Sequence, residues 1–150
     1  MILYKTGSIF NSEADFLVNA VNCVGIMGKG IALEFKNRYK DMFLSYKKCC
    51  EQGLLKPGLL QIYSYKDVSI LNFPTKVHWK DPSELEYIEL GLKKFVDTYK
   101  DKNIKSIAFP QIGCGYGGLN WNDVHNLMIK YLSDLDCEIE IWTLNKKEKE

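Results

Sequence analysis

The chain contains the stretch Val18-Asn19-Ala20-Val21-Asn22-Cys23-Val24-Gly25-Ile26-Met27-Gly28-Lys29-Gly30, in which an apolar run passes directly into a glycine-rich loop. The apolar run predicts a strand over Phe16–Asn22 that is too hydrophobic to leave one face in water, as is usual in a covered parallel sheet. A helical pattern follows over Gly30–Tyr39. A strand, a glycine-rich loop and a helix in this order predict one step of an α/β domain with a ligand at the carboxyl end of the strand.

Strand-like and helix-like segments alternate along the rest of the sequence. Further strands are predicted from short apolar runs at Ile2–Lys5, Leu59–Tyr65, Val68–Phe73, Ile104–Phe109 and Glu138–Leu144. Further helices are predicted from apolar residues at helical spacing over Met42–Glu51, Leu85–Tyr99 and Val124–Leu132. We expect Asp81 to cap the third helix, with Pro82 at its first position, and Asn120 to cap the last one. The alternation predicts an α/β fold with a largely parallel sheet covered by helices.

Length and composition fit one globular domain. The chain has 150 residues, of which 46% are hydrophobic and 26% charged, and both values are ordinary for a folded protein. Twenty basic residues against nineteen acidic ones give a net charge of +1, so any site for an anion has to be local. We assign residues 1–145 to the domain and expect the charged residues 146–150 to form a flexible tail or the start of a linker.

Cysteine usage and the amino terminus exclude several other classes. The five cysteines are odd in number and contain no Cys-x-x-Cys spacing, which argues against a disulfide framework or a structural zinc site. No apolar run is long enough to cross a membrane, and the first residues lack the pattern of a signal peptide. The sequence therefore predicts a cytoplasmic protein with no membrane association and no metal or other cofactor.

A second glycine-rich loop follows the predicted strand Ile104–Phe109 and reads Ile112-Gly113-Cys114-Gly115-Tyr116-Gly117-Gly118. In a parallel sheet both loops lie at the carboxyl edge, where backbone N–H groups and helix starts bind anions. The pair predicts a diphosphate held from two sides. A P-loop does not fit, because no hydroxyl residue follows Lys29. A dinucleotide-binding motif matches in spacing only, and a Rossmann dehydrogenase stays as an alternative.

Several strings resemble the macro domain family, which binds ADP-ribose, and match its DarG-like members most fully. The strings are Gly7-Ser8-Ile9, Asn19 to Ala32, Asn72-Phe73-Pro74-Thr75-Lys76, Pro110 to Gly115 and Gly117-Gly118-Leu119-Asn120-Trp121. The resemblance implies a mixed, mostly parallel sheet of about six strands between helices. DarG-like macro domains remove ADP-ribose from thymidine bases of single-stranded DNA and thereby reverse a toxin. The resemblance thus implies ADP-ribose and ADP-ribosylated single-stranded DNA as ligands, and a DNA ADP-ribosyltransferase toxin as a partner.

The resemblance also implies roles for individual residues. Asn22 corresponds to the asparagine that holds the distal ribose, although a turn role is the other reading of this residue. Ser8 stands where the family has an adenine-contacting acid, so its hydroxyl and the Ile9 backbone are expected to contact adenine. The residues expected to bind ADP-ribose are Ser8, Ile9, Asn22, Gly28, Lys29, Gly30, Ile31, Gly113, Cys114, Gly115, Tyr116 and Gly117.

Lys76 corresponds to the catalytic lysine of DarG-like macro domains and of the similar terminal ADP-ribose protein glycohydrolase. A neutral amine at this position can attack the anomeric carbon of the distal ribose, whereas a protonated one can stabilise a leaving group. His78, Trp79 and Lys80 follow after Val77, and they form either a contact for single-stranded DNA or a packing lid.

Two further functions remain open at this point. A reader module would bind ADP-ribose without releasing it from its carrier. An eraser of protein modification would release ADP-ribose from acidic side chains. The protein glycohydrolase has an aspartate in its second loop, where this chain has Gly115-Tyr116-Gly117-Gly118, and this difference favours a DNA substrate.

Overall fold

A computed structural model describes residues 1–144 and shows a single six-stranded sheet. The strands are β1 (Ile2–Thr6), β2 (Phe16–Val21), β3 (Gln61–Ser64), β4 (Ser69–Pro74), β5 (Ser106–Phe109) and β6 (Glu138–Thr143). They lie in the order β1-β6-β5-β2-β4-β3, and every neighbouring pair is parallel except β3 with β4. The predicted mixed, mostly parallel sheet is therefore confirmed, because β3 alone runs against its neighbour.

Helices cover both faces of the sheet. They are α1 (Gly30–Arg38), α2 (Lys40–Glu51), α3 (Leu85–Thr98) and α4 (Trp121–Leu132). Phe35 of α1 and Tyr46 of α2 are buried in one apolar cluster, whereas Phe95 of α3 and Met128 of α4 are buried in the other. The sheet is thus the middle layer of three, and the buried runs of β2 and β4 contribute to both clusters, which explains why they show no polar face.

The local sequence predicts the start of α4 correctly but not the start of α3. The Asn120 side chain accepts a hydrogen bond from the Asp123 N–H at 3.3 Å, so the predicted cap of α4 is confirmed. The predicted cap of α3 by Asp81 is wrong, because α3 begins at Leu85 and residues 81–84 precede it. Ser83 instead donates its backbone N–H to the Gly117 carbonyl at 3.0 Å, and this tertiary contact keeps the segment out of the helix.

Strand order brings three loops to one edge of the sheet. Strands β5, β2 and β4 are adjacent and parallel, so the loops that follow them leave the sheet side by side. These are the first glycine loop (residues 22–29, after β2), the second glycine loop (residues 110–120, after β5) and the lysine loop (residues 75–84, after β4). Ligands of open α/β sheets bind at this carboxyl edge.

Within residues 1–144 there is no helix with the length and apolar character needed to cross a membrane. The predicted charged tail, residues 146–150, and the domain boundary at residue 145 lie outside the described residues.

Candidate active site

A cavity of about 820 Å³ lies between the three loops at the carboxyl edge of the sheet. Its lining comes from the end of β2, from the start of α1 and from all three loops. The volume lies within the range of sites for cofactor-sized molecules. The cavity is therefore the candidate functional site.

The first glycine loop is held by the Asn22 side chain, which is 7% exposed. Its Oδ1 accepts hydrogen bonds from the Tyr46 hydroxyl at 2.7 Å and from the N–H groups of Val24 at 3.1 Å and Ile26 at 3.4 Å. Its Nδ2 donates to the Ile26 carbonyl at 2.7 Å. Asn22 is thus a turn residue, and since an amide has two N–H groups, one of them has no hydrogen-bond partner among residues 1–144.

The first glycine loop leads into α1, whose N-terminal residues face the cavity. Lys29 occupies the N-cap position in extended conformation and its side chain makes no capping hydrogen bond. The following residues, Gly30, Ile31 and Ala32, all line the cavity. Because the first N–H groups of a helix have no partner within it, this end of α1 offers backbone donors and a favourable dipole to an anion.

The conformation of the second glycine loop depends on its glycine residues. Gly113 and Gly118 have φ angles of +76° and +78°, a region that side chains disfavour. A Cβ on Gly117 would lie 2.2 Å from Ser83 Oγ and 2.5 Å from the Gly113 carbonyl oxygen. The Leu119 N–H closes the loop by donating to the Gly113 carbonyl at 2.9 Å. Glycine is therefore required here for turning and for close approach.

Lys76 lies on the cavity wall, half-buried, directly after β4. Its Nζ lies 3.5 Å from the Trp79 carbonyl oxygen, to which it donates a hydrogen bond. Burial lowers the pKa of the Lys76 ammonium below its usual value, the Asp81 carboxylate partly opposes this, and the Lys29 ammonium lowers the pKa further. The amine is therefore neutral in a larger fraction of molecules than an ordinary lysine.

The backbone around Lys76 is tied to the first glycine loop. Cys23 donates its N–H to the Val77 carbonyl at 2.9 Å and its thiol to the Lys76 carbonyl at 3.6 Å. Burial, assisted by nearby Cys50, raises the pKa of the Cys23 thiol to about 12, so the thiol stays protonated and remains a donor. The lysine loop and the first glycine loop thus form one connected wall.

Comparison with known proteins fits this geometry. A family model described as the macro domain matches residues 18–128, from β2 into α4, and includes all three loops. This chain is a macro domain.

Relatives of this macro domain have names that concern ADP-ribose on DNA. The chain is 42% identical over 146 residues to a "DNA ADP-ribosyl glycohydrolase" of Mycobacterium tuberculosis, with 93% of this chain and 42% of the relative covered. It is 39% identical to a protein of the same name from Thermus aquaticus, with 95% and 40% covered. The macro domain thus spans about two fifths of the length of these curated relatives.

Solved structures agree with the fold. The macrodomain of Mycobacterium tuberculosis DarG superimposes with a TM-score of 0.91 at 42% identity, covering 95% of this chain and 97% of that one. A structure described as Thermosipho africanus DarTG in complex with ADP-ribose superimposes with a TM-score of 0.90 at 34% identity, covering 99% of this chain and 43% of that one. The predicted relation to DarG-like macro domains is confirmed.

Most of the predicted site residues of the macro domain meet at the cavity. Those in its lining are Asn22, Gly28, Lys29, Gly30, Ile31, Lys76, Trp79, Lys80, Gly113, Gly115, Tyr116 and Gly117. Four others are not in the lining. Ser8 caps a short 3₁₀ turn through Phe10 N–H, Ile9 is buried at 4% exposure, Cys114 bonds the Ile112 carbonyl, and His78 stacks on Trp79. Their binding roles remain predictions.

Eight residues of the lining were not predicted from the sequence. The missed residues are Ala20, Val21, Ile26, Ala32, Thr75, Asp81, Pro82 and Gly118. Most of them are next to residues that were predicted, so a search for neighbours in the three loops would have found them. Asp81 was assigned to a helix cap instead of the site, because an acidic residue followed by proline is typical of a helix start. Among residues 1–144, no three His, Cys, Asp or Glu side chains are grouped so as to hold a metal ion.

Proposed function

We propose that this macro domain is an ADP-ribosyl glycohydrolase that removes ADP-ribose from thymidine bases of single-stranded DNA. The position of Lys76 carries the proposal. A lysine amine with a lowered pKa lies in the same cavity as two glycine loops whose backbone can hold a diphosphate. The names of the relatives and the ADP-ribose complex of a DarTG protein support the choice of ligand and bond.

In the proposed complex the glycine loops position ADP-ribose and leave its distal ribose near Lys76. The N-terminal N–H groups of α1 and the backbone of the second glycine loop would bind the diphosphate. The remaining N–H of Asn22 is available to a ribose hydroxyl. Because both loops are held by the protein itself, little further ordering is needed when the ligand binds.

The proposed reaction begins with attack of the neutral Lys76 amine on the anomeric carbon of the distal ribose. A carbon–nitrogen bond to Lys76 forms, and the bond to thymine breaks with its electron pair leaving on the base, which takes up the proton released by the amine. Ring opening gives a Schiff base, and addition of water releases ADP-ribose and restores the amine. The overall change is the addition of one water molecule.

The second glycine loop bears on the choice of substrate. Residues 115–118 read Gly-Tyr-Gly-Gly, so this loop offers no acid to protonate a leaving group. DarG-like macro domains also have glycine at this place, and this resemblance supports a thymidine-linked substrate over an ester of a protein carboxylate.

The decisive test is release of ADP-ribose from a single-stranded oligonucleotide that is modified on thymidine. We expect the wild type to cleave it and the Lys76→Ala variant to lose at least about 1,000-fold in rate, because the nucleophile is absent. Lys93→Ala is a matched control, since Lys93 is exposed on α3 and does not line the cavity. ADP-ribose binding, measured by calorimetry, should persist in both variants.

The other outcomes point to the competing functions. If the wild type binds ADP-ribose and releases nothing from DNA or from modified protein carboxylates, the chain is a reader. If it cleaves modified carboxylates and leaves DNA untouched, it is an eraser of protein modification. Either result would overturn the proposed substrate.

The proposal extends to a partner and a location. A relative from Thermosipho africanus is named "DNA ADP-ribosyl transferase-DNA ADP-ribosyl glycohydrolase fusion protein" and is 37% identical over 155 residues, with 91% of this chain and 40% of the relative covered. We propose on this basis that the macro domain opposes a DNA ADP-ribosyltransferase toxin in the cytoplasm. Co-expression with such a toxin should restore growth with the wild type and not with Lys76→Ala.

A further inference from the structure

Large aromatic side chains are exposed at few places in the described part of the chain. Within residues 1–144, the aromatic side chains with high exposure are Tyr4 (56%), Trp79 (44%) and Tyr116 (63%). Tyr4 is hydrogen-bonded to His125 at 2.7 Å on another part of the surface. Trp79 and Tyr116 both line the cavity. Exposed aromatic rings are therefore concentrated at the candidate active site.

The two rings belong to different loops. Trp79 is in the lysine loop after β4, and Tyr116 is in the second glycine loop after β5. Since β2 lies between these strands, the strand ends are separated by two strand spacings, roughly 10 Å. The two rings therefore come from loops that leave the sheet on either side of β2.

Each ring has a lysine beside it. The Lys80 Nζ lies 5.2 Å from the centre of the Trp79 ring, and the Lys29 Nζ lies 5.6 Å from the centre of the Tyr116 ring. The cavity lining as a whole contains three lysines and one aspartate, in a chain whose net charge is only +1. The charge needed to attract a polyanion is thus concentrated where the aromatic rings are exposed.

We infer that Trp79 with Lys80 and Tyr116 with Lys29 form a two-sided clamp for the nucleotides that flank the modified thymidine. The inference rests on the proposed function and adds a second contact, from the second glycine loop, to the one predicted from the sequence. Single strands are bound by aromatic rings that stack on bases and by cations that contact phosphates, and both are present on each side. Duplex DNA is excluded because its bases are already stacked on one another.

The test compares two substrates, ADP-ribosylated thymidine mononucleotide and a single-stranded oligonucleotide with the same modification in its middle. We expect the wild type to prefer the oligonucleotide in kcat/KM, and Trp79→Ala and Tyr116→Ala each to reduce this preference roughly tenfold, the loss of one base–aromatic stack. Tyr4→Ala removes an equally exposed ring elsewhere and should keep the preference. If Tyr116→Ala lowers activity on both substrates equally, Tyr116 contacts ADP-ribose rather than DNA and the clamp is wrong.

Binding of an unmodified single strand tests the clamp independently of catalysis. Fluorescence anisotropy should show roughly tenfold weaker binding for Trp79→Ala and for Tyr116→Ala, with Tyr4→Ala unchanged and duplex DNA bound poorly by all proteins. Lys80→Gln and Lys29→Gln should each reduce the slope of log affinity against log salt by about 0.7. If the wild type binds single strands no better than duplex, or the variants equal Tyr4→Ala, the clamp is overturned, even where glycohydrolase activity is found.

Discussion

The two glycine loops of the cavity are held in place by different means. In the first loop the buried Asn22 side chain gathers hydrogen bonds from Val24, Ile26 and Tyr46. In the second loop the conformation comes from glycines with positive φ angles and from a contact at Gly117 that has no room for a Cβ. The first loop therefore depends mainly on a side-chain network, with one positive-φ glycine at Gly25, whereas the second depends on the absence of side chains.

This difference determines how each loop should respond to mutation. Loss of one hydrogen bond from a network leaves the remaining ones in place, so damage to the first loop should be graded. A Cβ placed against backbone atoms cannot be accommodated by rotating a side chain, so damage to the second loop should be abrupt.

The largest effect is expected for Gly117→Ala. The new Cβ would lie 2.5 Å from the Gly113 carbonyl oxygen of the same loop and 2.2 Å from Ser83 Oγ, so the second glycine loop must change its conformation. We expect the free energy of unfolding to fall by about 3 kcal/mol and ADP-ribose affinity to fall at least about 100-fold. Urea denaturation and calorimetry measure the two quantities.

Gly118→Ala is the matched control for this variant. Gly118 has a φ angle of +78°, but a Cβ there would meet no atom of residues 1–144 within 4 Å. The cost should be limited to backbone strain, about 1 kcal/mol. Equal effects for the two variants would mean that close packing at Gly117 does not shape the loop.

A smaller effect is expected for Asn22→Ala. The change leaves the N–H groups of Val24 and Ile26 without their acceptor, which should lower the free energy of unfolding by about 2 kcal/mol. ADP-ribose binding should weaken because the first glycine loop is no longer ordered before the ligand arrives. An Asn22→Ala variant as stable as the wild type would contradict this role of the Asn22 side chain.

Tyr46→Phe should have a milder effect on the same loop. The Tyr46 hydroxyl lies 2.8 Å from the Asn22 carbonyl and 2.7 Å from its Oδ1, and the ring is fully buried. Removal of the hydroxyl leaves the bonds from Val24 and Ile26 in place, so we expect a loss of about 1 kcal/mol in urea denaturation. A loss as large as that of Asn22→Ala would contradict the graded response.

The smallest effects are expected in the pH dependence of kcat. Two charged residues of the cavity, Lys29 and Asp81, shift the pKa of Lys76 in opposite directions. The Lys29 ammonium lowers the pKa of Lys76, whereas the Asp81 carboxylate raises it. If the neutral amine is the nucleophile, kcat rises as pH increases through that pKa. Lys29→Met should shift the kcat profile to higher pH, and Asp81→Asn should shift it to lower pH.

These shifts also distinguish the two chemical roles of Lys76. A lysine that acts as a protonated electrostatic group would lose activity as pH rises, so the profile would fall where the nucleophile's profile rises. Stopped assays with modified oligonucleotide across the range of enzyme stability measure the profile.

The strands could be predicted well because their signal is local. Each of the six begins and ends within two residues of the prediction, because a buried apolar run indicates the same segment in the sequence and in the sheet. The start of α3 could not be predicted in this way. Asp81, Pro82 and Glu84 match a helix cap, but the bond from Ser83 N–H to Gly117 depends on a loop much later in the chain.

The candidate site was predictable where the motifs contain its residues and not where the fold brings separate segments together. Lys76 and the glycines were found from short strings. The bond between Asn22 and Tyr46 joins residues 24 positions apart, and the effect of Asp81 on Lys76 depends on how the lysine loop is shaped. No local sequence pattern distinguishes Asp81 from an ordinary surface charge, or Tyr46 from an ordinary core tyrosine.

The place of β6 in the sheet has a consequence for how the chain acquires its structure during synthesis. Strand β6 lies between β1 and β5 and pairs with both. Strand β1 is synthesised before the other five strands, but it cannot join the sheet until β6 has been made. The strands beside the cavity, β5, β2 and β4, are complete before β6 is made. We expect the ligand-binding half to assemble first on the ribosome, with β1 joining the sheet only after β6 has been made.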